Sequence, residues 1–372
     1  MRRLTTTLFV LALIAAACGG GSAETTTTAS TTPTSATTAA ASTTATTAVD
    51  ATTSTASPTT TEYIEGTTVT TYPSAFASPL NGLPTSTEIN LDRRAIGIKV
   101  DNHANARPQS GVMESDLVVE LRVEAGITRF IAFYHDNESD YVGPIRSLRP
   151  TDSTIAAAIG APLAISGGQD WVQQLAAGRG VGLVGPGAAK MIRISSRLAP
   201  HNEYGNTADI RAGADAQGYP NTPPMSLYRI DEWDYPEATA DTITLDWSDY
   251  TKVEWRYGDD HLYHRTQDGV THQTITRDGT RSDITAEVLV VLEGEFYTQY
   301  PTGVGTAVPA TDTAGSGPAY VFARGRVWQG TWQRAQYADE FVLISSDGSE
   351  AVVPPGFAWV SIFPQQRSVT WK

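Results

Sequence analysis

The chain has 372 residues, 40% of them hydrophobic, and carries 26 basic against 40 acidic side chains, a formal net charge of −14. That balance excludes recognition of nucleic acid through a basic surface and electrostatic adhesion to an anionic bilayer. A single cysteine, Cys18, excludes an internal disulfide and leaves everything after it without thiol chemistry.

The N-terminus reads as a leader. Arg2 and Arg3 precede an apolar run over residues 8–17, too short to span a bilayer and typical of a secretory signal. Ala15-Ala16-Ala17-Cys18-Gly19 resembles the lipobox of bacterial lipoproteins, with Ala15 where a larger aliphatic residue is usual. The resemblance implies a leader over residues 1–18 and a lipid on Cys18. Ordinary cleavage nearby is the alternative and would leave a free thiol. Residues 19–75 are mostly Thr, Ala and Ser and cannot bury enough apolar surface to offset the entropy of ordering. They are expected to form a disordered tether with a reach of roughly 40 Å, either bare or carrying sugars on its hydroxyls.

Residues 76–241 are expected to form a first folded domain. Residues 95–100 read as a strand ending at Asp101-Asn102. Residues 116–124 alternate, with Val119, Leu121 and Val123 on one face and Glu120, Arg122 and Glu124 on the other. With a returning strand over 128–135 they predict a hairpin with one polar face. After Gly143-Pro144, the trio Thr151, Asp152 and Ser153 offers an N-cap for a helix closed by Gly160. A buried strand over 162–166 and a helix over 170–177 follow. The order predicts a mixed sheet with packed helices. Residues 220–236, rich in Pro, form the connector. Residues 242–372 hold short β-rich runs punctuated by Asp268-Gly269, Asp278-Gly279 and Asp347-Gly348, which are hairpin signals. The fold class is therefore α+β, with the mixed sheet followed by a smaller antiparallel β-rich domain.

Several stretches are similar in order and content to the YerB-like family of bacterial lipoproteins. They are Ser78-Pro79-Leu80-Asn81-Gly82-Leu83-Pro84, Asp101-Asn102-His103 with Ala106-Arg107-Pro108-Gln109-Ser110-Gly111, Gly126-Ile127-Thr128-Arg129-Phe130 and Gly143-Pro144-Ile145-Arg146-Ser147-Leu148-Arg149-Pro150. Ala199-Pro200-His201-Asn202-Glu203-Tyr204 continues the pattern, as do Gly315-Ser316-Gly317, Gly330-Thr331-Trp332 and Val369-Thr370-Trp371. Ala286-Glu287-Val288 departs from it. The resemblance implies a fold and an extracytoplasmic location, and no activity, because the core of that family is a domain of unknown function.

Arg146, Ser147 and Arg149 lie just ahead of a predicted helix start, where guanidinium groups and free backbone N–H groups suit phosphate, sulfate or carboxylate. The alternative is that these arginines pair with Glu120, Glu124 or Asp101 and brace the fold. Asp101, Asn102, His103, Arg107 and Gln109 cluster at a strand end, where open sheets place their sites. His103 suits a general base oriented by a carboxylate; turn capping by Asp and Asn is the plainer reading. His201-Asn202 is a similar loop candidate. Ser110 and Ser147 lack the Gly-x-Ser-x-Gly elbow of a serine hydrolase. Glu120 and Glu124 lie about 13 Å apart along a strand, too far for a glycosidase pair. Gly180-Val181-Gly182-Leu183-Val184-Gly185 follows a helix and reads as loop. His261 and His264 point to opposite faces of a strand, so no metal site and no cofactor is expected. Trp255, Tyr257, Trp328 and Trp332 suit core packing more than stacking on sugars.

These readings combine into one expectation. The protein is lipid-anchored on the outer face of the bacterial plasma membrane and binds an anionic, wall-related ligand. The ligand-binding residues are Arg107, Gln109, Arg129, Arg146, Ser147, Arg149, His201 and Asn202. Its partners are the membrane, through the anchor, and a cell-wall component or envelope protein, with no nucleic acid. Two alternatives stay open: a metal-independent hydrolase or transferase with His103, His201 and Asp101 as catalytic candidates, and a scaffold for a partner protein.

Overall fold

The computed structural model describes residues 88–372 throughout, with 77–85, 62–64 and 67–69. The leader, Cys18 and most of the Thr/Ala/Ser segment lie outside the described residues. Inside that segment, Glu62–Ile64 and Thr67–Val69 pair antiparallel, so it carries a small hairpin where none is expected.

Strands β1 (Ile96–Asp101), β2 (Leu117–Arg122) and β3 (Thr128–Tyr134) form where the sequence predicts them. β2 and β3 pair antiparallel, Leu117 opposite Phe133 and Arg122 opposite Thr128, and β3 pairs β1 with Asp101 opposite Arg129. The expected polar face of this hairpin is absent. Val119 and Leu121 enter one core cluster, Val118 enters another, and Glu120 is wholly buried between them. A strand covered on both faces has no solvent side, and its one carboxylate needs an internal partner.

Three helices of nine or ten residues follow among the described residues: α1 (Pro150–Ile159), α2 (Asp170–Gly178) and α3 (Thr207–Ala216). The N-cap of α1 is Arg149 rather than the expected trio. Pro150 takes the first helical position, and Asp152 Oδ2 accepts the Arg149 backbone N–H at 2.7 Å. Gly160, at φ 75°, closes the helix as its sequence position suggests. Short parallel strands β4 (Leu163–Ala164) and β5 (Leu183–Val184) flank α2; β5 lies inside the Gly180–Gly185 stretch read as loop. β6 (Ile192–Arg193) and β7 (Glu203–Tyr204) form the base of a projecting arm. The connector has no regular strand but buries Leu227 and Tyr228.

In the second half come β8 (Thr242–Ser248), β9 (Thr251–Tyr257) and β10 (Tyr263–Gln267), then β11 (Val288–Gly294), β12 (Gly315–Ala323) and β13 (Arg326–Arg334). They are followed by β14 (Val342–Ile344), β15 (Glu350–Ala351), β16 (Ala358–Pro364) and β17 (Val369–Trp371). Asp268 and Gly269 both have positive φ, 55° and 78°, and turn β10 back on residues 270–271, the geometry of a type I′ turn.

The main sheet has eleven strands in the order β15-β14-β13-β12-β11-β16-β2-β3-β1-β4-β5. β16 runs parallel to β11 on one side and to β2 on the other. The sheet is mixed, as expected, but the helical share is small; the second half forms a separate antiparallel β-rich sheet, as expected, and also lends strands β11–β16 to the main sheet. Val288-Leu289-Val290-Val291-Leu292 and the run from Ala358 to Pro364 are buried at every position, which suits the interior of a covered sheet rather than a half-solvated hairpin. α1, α2 and the connector cover one face. The other face packs on α3 and on a six-stranded sheet built around β10-β9-β8-β17. Trp255 and Trp332 are buried in these interfaces, so both are core residues.

Candidate functional site

The carboxyl end of β1 delivers Asp101 with no solvent exposure. Its Oδ1 accepts the His103 backbone N–H at 3.1 Å. Its Oδ2 accepts from His201 Nδ1 at 2.6 Å and lies 3.1 Å from Arg146 Nε. The rings of His103 and His201 stack with centroids 4.5 Å apart and planes 17° from parallel. Burial, then the neighbouring His201, pushes the His103 imidazole below its ordinary pKa, toward the neutral form. His201 reaches this position on the β6–β7 arm. Arg197 fastens the arm by donating to the carbonyls of Ala106 and Pro108. His103 in turn caps the 3₁₀ turn Ala104–Ala106, its Nδ1 accepting from Asn105 N at 3.1 Å.

Three arginines converge behind Asp101. Arg146 takes that carboxylate. Arg149 Nε lies 2.6 Å from Glu124 Oε1, and its NH1 donates to the Leu148 carbonyl at 2.7 Å. Arg129 differs. It is 4% exposed, its NH1 donates to the Ser147 carbonyl at 3.1 Å, and its Nε has no partner. No carboxylate among the described residues forms an ion pair with it. Burial, followed by the charges of Arg149 and Arg146, pushes the Arg129 guanidinium down to about 10. Deeper still, Lys99 Nζ lies 2.6 Å from Asp152 Oδ1 with both side chains inaccessible, and burial pushes the Lys99 ammonium down to about 8. Arg146 pairs with Asp101, Arg149 with Glu124 and Lys99 with Asp152. Arg129 is the cation left over.

The structure thus gathers Asp101, His103, Arg129, Arg146, Ser147, Arg149 and His201, and it satisfies the bracing alternative for Arg146 and Arg149 at the same time. Other candidates lie elsewhere. Gln109 is wholly buried; its Nε2 donates to Asp101 O and Asn102 Oδ1, and its Oε1 accepts from His272 Nε2 at 2.9 Å. Both of its amide donors are used, and the side chain has no exposure through which a ligand could reach it. Asn202 holds the arm, accepting from Arg193 NH1 at 2.9 Å and donating to the Ile194 carbonyl at 3.2 Å. Arg107 faces Asp268 at 3.6 Å beside a cavity of about 320 Å³. Ser110 is buried, and Glu120 is tied to Arg265, so neither a serine nucleophile nor a carboxylate pair is assembled from them. Lys99 and Arg265 escape sequence reasoning, and Asp152 is read there only as part of a helix cap, not as the partner of Lys99. A polar residue inside a run that is apolar on both faces, as Lys99 is within β1, is the signal that finds such groups.

Two family models match the chain: "Protein of unknown function (DUF3048) N-terminal domain" over residues 80–220 and "Protein of unknown function (DUF3048) C-terminal domain" over residues 243–360. The Bacillus subtilis (strain 168) protein named "Putative lipoprotein YerB" is 27% identical over 297 residues, covering 77% of this chain and 86% of that relative. The crystal structure of YerB from Bacillus subtilis is alike in fold, with a TM-score of 0.67 and 24% identity over 79% of this chain and 99% of that one. The residues around Asp101 all fall inside the first matched range.

Proposed function

The chain belongs to the YerB-like DUF3048 family, and from that premise we propose that it is an envelope protein that binds an anionic, phosphate- or carboxylate-bearing ligand at Arg129, Arg146 and Arg149. The unpaired Arg129 carries this reading. A guanidinium this buried, with an orphan Nε and two like charges beside it, costs the fold free energy. An anion accepting from Arg129 removes that cost, because charge-assisted bonds to arginine are among the strongest available. A lipid on Cys18 would tether the domain to the outer face of the plasma membrane; the name of the Bacillus subtilis relative supports such an anchor, and no helix among the described residues is long and apolar enough to cross a bilayer.

The test is a thermal melt of the protein with rising orthophosphate, pyrophosphate and acetate at constant ionic strength. A ligand that binds only the native state raises the midpoint as its concentration rises. A rise with at least one anion, absent with chloride, supports the site; no rise with any of them defeats it.

A second reading has its own observation. His201 Nδ1 faces Asp101 at 2.6 Å and its Nε2 has no partner among the described residues, the arrangement of an oriented acid–base imidazole. Release of nitrophenol from bis(p-nitrophenyl) phosphate, abolished in His201→Ala, would support a hydrolase; equal rates for parent and variant would remove it.

A further inference from the structure

Three segments meet at the cavity of about 320 Å³, which shares none of the three arginines of the proposed anion site. The turn after β10 brings Asp268 and Val270, and the chain after the 3₁₀ turn Ala104–Ala106 brings Arg107 and Pro108. Arg281 comes from a hairpin of Gln273–Ile275 with Arg281–Asp283. That hairpin is fastened to the second segment. Ile275 N donates to the Gln109 carbonyl at 2.8 Å, and the Thr274 hydroxyl donates to the same oxygen at 2.9 Å. The walls are thus set by the fold, which limits the ordering cost of binding. The volume lies at the lower end of small-molecule pockets.

The buried part of the lining is committed and neutral. Gln267 Oε1 accepts from Asn102 Nδ2 and Arg265 NH1, both at 2.9 Å. His272 Nε2 lies 2.9 Å from Gln109 Oε1. Burial, then the charges of Arg265 and Arg107, hold the His272 imidazole well below its ordinary pKa. The two cations are uncommitted. Arg107 meets Asp268 only at 3.6 Å, beyond hydrogen-bond reach. Arg281 is exposed and forms no ion pair among the described residues. Asp268 has a structural task of its own. It sits at φ 55° in the turn, and its Oδ1 accepts the Lys252 backbone N–H at 2.9 Å. Two guanidinium groups against this one carboxylate leave the lining with one positive charge in excess. The rest is partly apolar: Ala104, Pro108 and Val270 line it, and Val270 is 67% exposed, a surface that a ligand's hydrocarbon part would cover.

We propose that this cavity is a second binding site, separate from Arg129, and that it takes a small organic monocarboxylate. The carboxylate is held by Arg107 and Arg281, and the hydrocarbon part lies on Val270 and Pro108. One negative charge matches the excess of the lining. A phosphate dianion would bring a further negative charge beside Asp268, where like charges repel, and has nothing to place on the apolar wall. The inference does not rest on the reading of Arg129 and stands or falls apart from it.

Titration calorimetry at fixed ionic strength tests this with benzoate, hexanoate, their neutral amides and acetate. At least one of the two larger acids should bind about tenfold more tightly than its own amide, which reads the guanidinium groups. It should also bind more tightly than acetate, which reads the apolar wall. Arg281→Ala should lower the affinity for that acid severalfold and leave the affinity for its amide unchanged. Asp268→Asn keeps an acceptor for Lys252 N and an Asn-Gly pair suited to the turn; it should raise the affinity for the acid and not for the amide. Arg129→Met should change neither. If neither acid binds more tightly than its amide, or if Arg281→Ala leaves the acid unaffected, the second site is overturned. Loss of acid binding in Arg129→Met would place the carboxylate on the other site and overturn it equally.

Discussion

Arg265 NH2 lies 2.8 Å from Glu120 Oε1, and neither side chain has any solvent exposure. The pair joins β2 of the first half to β10 of the second across the interface between the two sheets. Trp359 Nε1 and the Thr128 hydroxyl donate to the same carboxylate at 2.8 and 2.6 Å. Arg265 NH1 reaches Gln267 Oε1 at 2.9 Å, Asn102 Nδ2 reaches the same oxygen at 2.9 Å, and Asn102 Oδ1 accepts from Gln109. The network ends at Asp101 O, so it ties the frame of the candidate site to the second half of the chain.

Glu120→Leu leaves the Arg265 charge buried without a counter-ion and should cost about 3–5 kcal/mol. Arg265→Leu should cost a similar amount. The double variant should cost clearly less than the sum, since no unpaired charge remains. Urea unfolding midpoints of the four proteins check this; additive losses would mean that the pair does not act as a unit.

Lys99→Met leaves the Asp152 carboxylate buried while it still caps α1 through Arg149 N. A loss of about 3–5 kcal/mol is expected. Lys99→Met with Asp152→Asn, which keeps an acceptor at the cap, should recover a large part of it, again by urea unfolding.

Arg197→Ala releases the arm that carries His201. Hydrogen exchange over residues 194–202 should accelerate by at least tenfold while the melting temperature falls by no more than about 2 °C, because a projecting arm opens locally rather than with the whole core. Unchanged exchange over that segment would show that Arg197 does not hold it.

Glu293, on β11, is 8% exposed, and burial pushes its carboxyl up to about 7 against the opposing effect of the Tyr320 hydroxyl. The folded state therefore binds the proton more tightly than the unfolded chain, whose carboxyl titrates near 4.3. The associated stability is present below that value and is lost as pH rises to about 7. Glu293→Gln should match the parent at pH 4.5 and exceed it at pH 8 by about 1–2 kcal/mol. A constant difference across this range would contradict the assignment.

Local pattern made the first hairpin, α1, α2 and the Asp-Gly turns legible, because each depends on residues within a few positions of one another. Asp101, His103 and His201 were legible as polar residues at a strand end and a loop, but not as one site, since His201 lies a hundred positions from Asp101 and arrives on an arm fixed by Arg197. The shared sheet was not legible. The apolar runs of β11 and β16 suit any buried strand, and nothing local says that β16 will lie between β11 and β2. Gln109 and Asn202 read as ligand groups for the same reason: a polar side chain in a loop looks alike whether it faces a ligand or completes an internal network.

The account rests on Arg129 being kept for a ligand and not for the fold, and Arg129→Met tests that most directly. The substitution keeps a long apolar side chain and removes a buried, unpaired charge. Without added anion, the variant should unfold in urea at a concentration equal to or above that of the parent, and it should lose the rise in melting temperature that pyrophosphate gives the parent. A variant destabilised by several kcal/mol, with a parent indifferent to pyrophosphate, would make Arg129 a brace of the fold and contradict the assignment of an anion site.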